Sequence, residues 1–371
     1  MNDSNLETQF VWNPGKHCLE LDGVRGLAIL LVSLYRFSKE LDPSSFPSWL
    51  AIAVLRVGER GVDLFFVLSG FLITGVLLRA RQDARYLSNF YWRRALRILP
   101  LYFLALLVIG LCYANAGQFV LLSAFFLANL VSLFGVPLVY GPLWSLAVEE
   151  HFYLFWPWVV RAVTPRRLAW LAAGIAILQP LVRGIGFITK TDIYYFTWFR
   201  LDGLAWGALL ACLFFLSSQP KVIGRQVAMA AWGLAALLTF SAIPFGLLSR
   251  QRLVGAMLLF SVAQLFFLGL LAAALAKQGT VSAGVLRITW LRKCGVWSYC
   301  LYLIHLMLLQ GFDWMAGQNQ LGMGRLGYYF LRAGIALSIA FLIARFSFQY
   351  FESPILQQQS PWSYSELGKD E

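Results

Sequence analysis

The sequence has 371 residues, of which 59% are hydrophobic and 13% are charged, and its mean hydropathy is +0.67. In soluble domains about half of the residues are apolar and about a quarter are charged, so this composition excludes a soluble enzyme. The 30 Phe, 14 Trp and 15 Tyr, the absence of a glycine period and the mere five Cys exclude disordered, collagen-like and disulfide-rich chains. We therefore predict an all-α fold, a polytopic membrane helical bundle.

The net charge of +12 raises the possibility of nucleic-acid binding. The basic residues, however, gather in short connections between apolar runs, which is how cytoplasmic loops orient a membrane protein. We therefore expect membrane lipid as a partner and no nucleic acid. The cysteines show no metal-ligand spacing, so we predict no metal.

Runs of about 20 mainly apolar residues, enough for a helix to cross a bilayer, recur along the chain. They predict about ten transmembrane helices, at 24–42, 61–79, 97–114, 143–160, 168–188, 196–217, 226–247, 253–276, 294–312 and 328–348.

The apolar segment 119–136 could add an eleventh crossing. Arginine clusters at 79–97 and 161–167 should both be cytoplasmic, which requires an even number of crossings between them. We therefore predict that 119–136 is re-entrant or peripheral. Both termini are then cytoplasmic, with an N-terminal segment 1–22, a membrane domain 23–352 and a tail 353–371.

Ionisable residues inside spans are costly to bury and mark functional sites by default. Arg25 and Arg36 are eleven residues apart, which places them on one helix face about 16 Å apart along the axis. They either line a polar cavity or reach toward the two membrane interfaces. Asp63, early in the second span, is a natural counter-ion for an arginine, and Ser69-Gly70 predicts a close helix approach.

The run 93–102 opens the predicted third span. It places Arg93 and Arg97 on one helix face, where guanidinium forks suit phosphate groups. Anchoring at the cytoplasmic interface explains these arginines equally well.

Three later positions also carry polar side chains into predicted spans. The segment 142–153 contains the adjacent acids Glu149 and Glu150, which point about 100° apart on a helix, so that one can face a cavity while the other pairs with an arginine. We expect Arg200 and Asp202 to form a partly buried pair. A histidine in the middle of a span, at position 305, is more commonly neutral and hydrogen-bonded than catalytic.

Taken in chain order, these segments resemble the acyltransferase-3 family of integral-membrane acyltransferases, which modify bacterial cell-envelope sugars and some antibiotics. The resemblance covers most of the chain and rests on the segments 21–28 (LDGVRGLA), 61–73, 93–102, 143–153, 298–305 and 350–354 (YFESP).

The resemblance implies a multi-pass O-acyltransferase of the bacterial inner membrane. Such an enzyme moves an acyl group, usually acetyl, from cytoplasmic acyl-CoA to a hydroxyl of a cell-envelope polysaccharide or lipid-linked sugar. Acetyl-CoA is then the donor co-substrate. With the residues singled out above, we expect catalytic roles for Arg25, Arg36, Glu149, Glu150 and His305, donor binding by Arg93, Arg94, Arg97 and Tyr102, and acceptor binding by Asp63, Trp144, Ser145, Tyr153, Arg200 and Asp202.

One position departs from the family pattern. The family's first-span signature is an arginine followed, after ten intervening residues, by a histidine, and this sequence has Arg36 there. Arginine has no basic lone pair at neutral pH and cannot be a general base. Arg36 is an engineered or allelic replacement that weakens the enzyme, or a natural variant in which Glu149, Glu150 or His305 supplies the base while Arg36 stabilises the oxyanion or holds an anionic acceptor. Otherwise the chain is a non-catalytic relative that binds or transports a glycolipid or small molecule.

Overall fold

The computed structural model describes residues 18–37, 57–247, 249–277, 281–316 and 325–358. Within these ranges the regular structure is helical throughout, with short 3-10 turns and one π-helical turn between thirteen α-helices. In chain order they are α1 (Leu19–Phe37), α2 (Gly61–Arg79), α3 (Tyr86–Cys112), α4 (Gly117–Ala124), α5 (Leu143–Ala162), α6 (Pro165–Ile188), α7 (Leu201–Leu216), α8 (Pro220–Ala242), α9 (Leu253–Ala276), α10 (Thr289–Val296), α11 (Ser298–Ala316), α12 (Arg325–Ser347) and α13 (Ser353–Gln357).

The predicted fold class, a polytopic helical membrane protein, is confirmed. Among the described residues, six helical segments are long and apolar enough to cross a membrane, and α10 with α11 makes a seventh if this pair, bent by 82°, is one span. The count of about ten spans stays a prediction, although a helix lies at each predicted position. Residues 38–42 of the first predicted span, 1–17 of the N-terminal segment and 359–371 of the tail lie outside the described residues.

The segment 119–136 contains no helix long enough to cross a bilayer. α4 has eight residues, about 12 Å of helix, and turns follow it up to a 3-10 turn at Val131–Phe134. The Asn129 amide donates to Thr197 Oγ1 (2.8 Å) and the Tyr195 carbonyl (3.3 Å), and His151 Nδ1 lies 2.7 Å from the same Thr197 oxygen. This geometry agrees with the prediction that 119–136 adds no crossing.

The third long helix starts earlier than predicted. α3 begins at Tyr86, so the run 93–102 lies within the helix and does not open it. The Tyr86 and Tyr91 hydroxyls donate to the carbonyls of Pro157 (3.0 Å) and Leu154 (2.7 Å) in α5, which fixes the first turns of α3. These turns are amphipathic, so a search for apolar runs does not find them.

The chain forms two compact units, each built from segments that are distant in sequence. Of the described residues, the first unit comprises those within 18–20, 63–91 and 112–285, and it contains α2 and α4 to α9. The second unit comprises the described residues within 21–62, 92–111 and 286–358, and it contains most of α1, most of α3 and α10 to α13.

Glycines allow helix backbones to touch inside each unit. In the first unit, a Cβ at Gly70 of α2 would overlap the Leu204 carbonyl of α7, so the close approach predicted from Ser69-Gly70 is present. In the second unit, a Cβ at Gly23 of α1 would overlap the Leu286 carbonyl. Helices in lipid have no hydrophobic driving force for association. Small residues at such contacts let the backbones pack closely, and this packing stabilises the helix pair instead.

The contact at Gly70 gives a stability prediction. We expect Gly70→Ala to destabilise the protein by about 1–3 kcal/mol, because the added methyl group meets rigid backbone. The measurement is the thermal unfolding midpoint of the detergent-purified protein. Gly174→Ala in α6 is the matched control, since a Cβ there has no neighbour within 4 Å. Equal midpoints for the two variants would contradict the packing argument.

Candidate functional site

A half-buried carboxylate on α5 binds two hydroxyl groups in the first unit. Glu149 accepts hydrogen bonds from Ser69 Oγ of α2 (3.0 Å) and from the Tyr153 hydroxyl one turn further along α5 (3.1 Å). Glu150 is also half-buried, and Tyr153 is buried. The structure thus brings together Glu149 and Tyr153 from the predicted site and adds Ser69 of α2 to them.

Three other predicted catalytic residues lie in the second unit. His305 of α11 is 1% exposed, and its Nδ1 lies 2.9 Å from the Tyr302 carbonyl and 3.2 Å from the Leu301 carbonyl. Arg36, in the last turn of α1, is half-buried. Arg25 lies on the same helix, half-buried, so α1 carries both arginines as predicted.

The predicted donor-binding residues lie along α3 in the second unit. Arg93 and Arg94 are half-buried, Arg97 is exposed and Tyr102 is fully buried. The Tyr299 hydroxyl of α11 donates to the Ile98 carbonyl (2.8 Å), which fixes α3 next to Arg97. Guanidinium groups on this helix are therefore accessible to an anionic ligand.

Two ion pairs are completely buried in the first unit. Arg200 pairs with Asp63 (2.8 Å), and Arg183 of α6 pairs with Asp202 (2.7 Å), with side-chain exposures of 0–1%. The sequence analysis expected Arg200 and Asp202 to pair with each other, and this expectation is wrong because each of them pairs with a different residue. The reason is geometric: the two residues are separated by one position at the start of α7, so their side chains point away from each other.

Both pairs are embedded in further polar and aromatic contacts. Gln264 of α9 donates to Asp63 (3.2 Å), and Ser261 of α9 donates to Asp202 (3.1 Å). The Arg200 guanidinium lies 3.8 Å from the Phe260 ring centroid, and it also faces the rings of Phe66, Trp144 and Tyr194. Complete burial and direct pairing of opposite charges favour a structural role for Asp63, Arg200 and Asp202.

Two more residues from the predicted acceptor site are buried. Trp144 packs on Phe66, with ring centroids 6.0 Å apart, and its exposure is 0%. Ser145 is 4% exposed, and its hydroxyl donates to the Pro142 carbonyl at the start of α5 (3.3 Å). Trp144 therefore contributes to the core of the first unit and Ser145 to the first turn of α5.

Sequence reasoning missed several of these partners. Arg183 lies inside the predicted span 168–188, so its charge within an apolar run was the signal for a buried pair. Asp313 and Arg332 form a further ion pair in the second unit, and Arg332 likewise lies inside a predicted span. Gln264 and Ser261 are uncharged and gave no comparable signal.

The amino-acid sequence matches a known class of protein. Residues 19–345 match the model of the acyltransferase-3 family, described as an acyltransferase domain. The match covers most of the chain, and the chain therefore belongs to this family.

Several curated proteins are similar to this chain. The peptidoglycan O-acetyltransferase OatA of Listeria monocytogenes is 26% identical over 374 residues, covering 92% of this chain and 56% of that protein. The O-acetyltransferase OatA of Staphylococcus aureus is 27% identical over 367 residues, covering 90% and 56%. This chain thus spans little more than half the length of these relatives. No solved structure matches it.

The buried pair in the first unit gives a second stability prediction. Arg183→Leu should destabilise the protein by about 3–5 kcal/mol, because it leaves the Asp202 carboxylate buried without its counter-ion. The double variant Arg183→Leu with Asp202→Leu should recover much of that loss. Thermal unfolding in detergent measures both, and Arg166→Leu at an exposed position of the same helix serves as the control. A double variant as unstable as the single one would refute this account.

Proposed function

We propose that this protein is a membrane-bound O-acyltransferase that moves an acyl group, acetyl being the first candidate, from acyl-CoA to a hydroxyl of a cell-envelope polysaccharide or lipid-linked sugar. The observation that carries the proposal is the family match over residues 19–345. The similar proteins, which are named as O-acetyltransferases, support acetyl as the group transferred. The proposed location is the bacterial inner membrane, with both termini cytoplasmic.

We assign the donor site to the arginines of α3. Arg93 and Arg97 are one helical turn apart, and their forked guanidinium groups suit the phosphates of CoA. Arg94 adds positive charge beside them, and the buried Tyr102 holds the apolar side of the helix in place. In this assignment the donor enters from the cytoplasm.

We assign charge stabilisation to the arginines of α1 and, as a separate assignment, acceptor orientation to Glu149. Hydroxyl attack on a thioester forms a tetrahedral oxyanion, which a fixed cation on α1, Arg25 or Arg36, would stabilise. Glu149, already bound to the hydroxyls of Ser69 and Tyr153, is suited to orient an acceptor hydroxyl in place of one of these groups. Glu150 supplies a second half-buried carboxylate on the same helix.

The direct test is acetyl transfer by the purified protein. In proteoliposomes supplied with radiolabelled acetyl-CoA and a peptidoglycan-derived acceptor, we expect label to appear in alkali-labile ester on the glycan. Heat-denatured protein is the control. Binding of glycolipid without any ester formation would favour the non-catalytic relative.

The donor site gives a separate prediction. Arg93→Ala combined with Arg97→Ala should weaken CoA binding by about 100-fold, since a charge-assisted hydrogen bond contributes about 1.5–3 kcal/mol. Isothermal titration with CoA measures the effect. The exposed pair Arg166→Ala with Arg167→Ala is the control for general loss of positive charge. Unchanged affinity in the α3 variant, or an equal loss in both variants, would move the donor site elsewhere.

A further inference from the structure

One ring nitrogen of His305 is hydrogen-bonded to the backbone of its own helix. The other is buried and has no hydrogen-bond partner among the described residues. Its Nδ1 lies within hydrogen-bond distance of two backbone carbonyls, so Nδ1 must carry the proton and donate. The neutral imidazole then has its lone pair on Nε2. Among the described residues, this nitrogen is buried and accepts no hydrogen bond.

Such an orphaned nitrogen is unfavourable in a folded protein. Nearly all buried polar atoms have a partner, and leaving one unsatisfied costs about 1–3 kcal/mol. A ligand hydroxyl donating to Nε2 would remove this cost. His305 therefore differs from His151, whose Nδ1 meets Thr197 Oγ1 at 2.7 Å and whose other ring nitrogen is not among the buried unpartnered atoms of the described residues.

Arg36 supplies the second, independent observation. It is half-buried near the end of α1, and within the described part of the chain no carboxylate forms an ion pair with it. The end of α1 is tied to α11 through α12 inside the same unit: the Tyr329 hydroxyl donates to the Leu34 carbonyl (3.3 Å), and Tyr329 packs in one cluster with Leu309, one turn after His305. An arginine that has no ion-pair partner among the described residues, on a helix end held to this part of α11, is suited to a ligand that carries both a hydroxyl donor and developing negative charge.

The carboxylates are less suited to the base role. Glu149 already accepts two hydrogen bonds, from Ser69 and Tyr153, so an acceptor hydroxyl would have to displace one of them. His305 Nε2 needs no such displacement. The structure thus favours His305 over Glu149 among the bases that the sequence left open.

We infer that His305 Nε2 is the general base of acyl transfer in this protein and that Arg36 binds the oxyanion. This inference rests on the proposed acyltransferase function. The acceptor hydroxyl gives its proton to Nε2 as its oxygen bonds to the thioester carbonyl carbon. The carbonyl electrons move onto the oxygen that faces Arg36, then return as the carbon–sulfur bond breaks. CoA leaves as the thiol after taking the proton from His305, and the products are the ester and free CoA.

The test is a set of single variants in proteoliposomes with labelled acetyl-CoA. We expect His305→Gln to lower kcat at least 100-fold, within the range for loss of a general base, while the affinity for CoA stays within about twofold. We expect Arg36→Gln to lower kcat by about 100-fold and Arg36→Lys to lower it less, because lysine keeps the charge. His151→Asn is the matched histidine control and should retain activity.

Three results would overturn the inference while leaving the proposed function intact. The first is a wild-type protein that transfers acetyl together with a folded His305→Gln variant that keeps more than a tenth of its kcat. The second is loss of CoA binding in that variant, which would indicate a structural role. The third is a kcat that is tenfold or more higher in Arg36→His than in the wild type, which would indicate that a first-span histidine is the base. If His305→Gln does not fold, the Arg36 variants decide alone. A wild-type protein without transfer activity would overturn the proposed function and this inference together.

Discussion

The energetic cost of burying charge away from water governs the arrangement of this protein. In the first unit each of two buried guanidinium groups meets a carboxylate: Arg200 pairs with Asp63, and Arg183 pairs with Asp202. Gln264 of α9 also donates to Asp63, and Arg183 also donates to the Met257 carbonyl. Four helices, α2, α6, α7 and α9, therefore contribute to one polar core. Because each charge has a specific partner, the pairs also fix the register of these helices.

The charged residues of the second unit follow a different rule. Among the described residues, half-buried Arg36 has no ion-pair partner, and the buried Nε2 of His305 accepts no hydrogen bond. Groups that are buried and incompletely satisfied are the usual place for ligand binding and chemistry, since a substrate completes what the fold leaves open. The first unit differs in that Arg183 and Arg200 each meet a carboxylate directly.

Much of the fold could be predicted from sequence, because apolar length and basic loops are strong signals in a membrane protein. α2 and α9 match their predicted bounds, and the short α4 agrees with the even-crossing argument. The start of α3 could not be predicted in this way, since Tyr86 and Tyr91 are fixed by carbonyls that only the folded chain brings near. The partners of Arg200 and Asp202 could not be predicted for the same reason, because they depend on the direction of the helices and on Arg183, which is distant in sequence.

The resemblance to the family implies a histidine at position 36, where this sequence has an arginine, but the sequence alone did not show what could replace a base there. An arginine is a permanent cation with no basic lone pair, so acyl transfer would need a lone pair from another residue. In the arrangement that we infer, Nε2 of His305, which accepts no hydrogen bond from the described residues, supplies this lone pair, and the carbonyls of Leu301 and Tyr302 select the tautomer that carries it. Arg36 is then suited to the oxyanion, a role that a histidine base at position 36 could not fill simultaneously. In this arrangement one residue is still the base and another is still the cation, and the two residues lie on different helices.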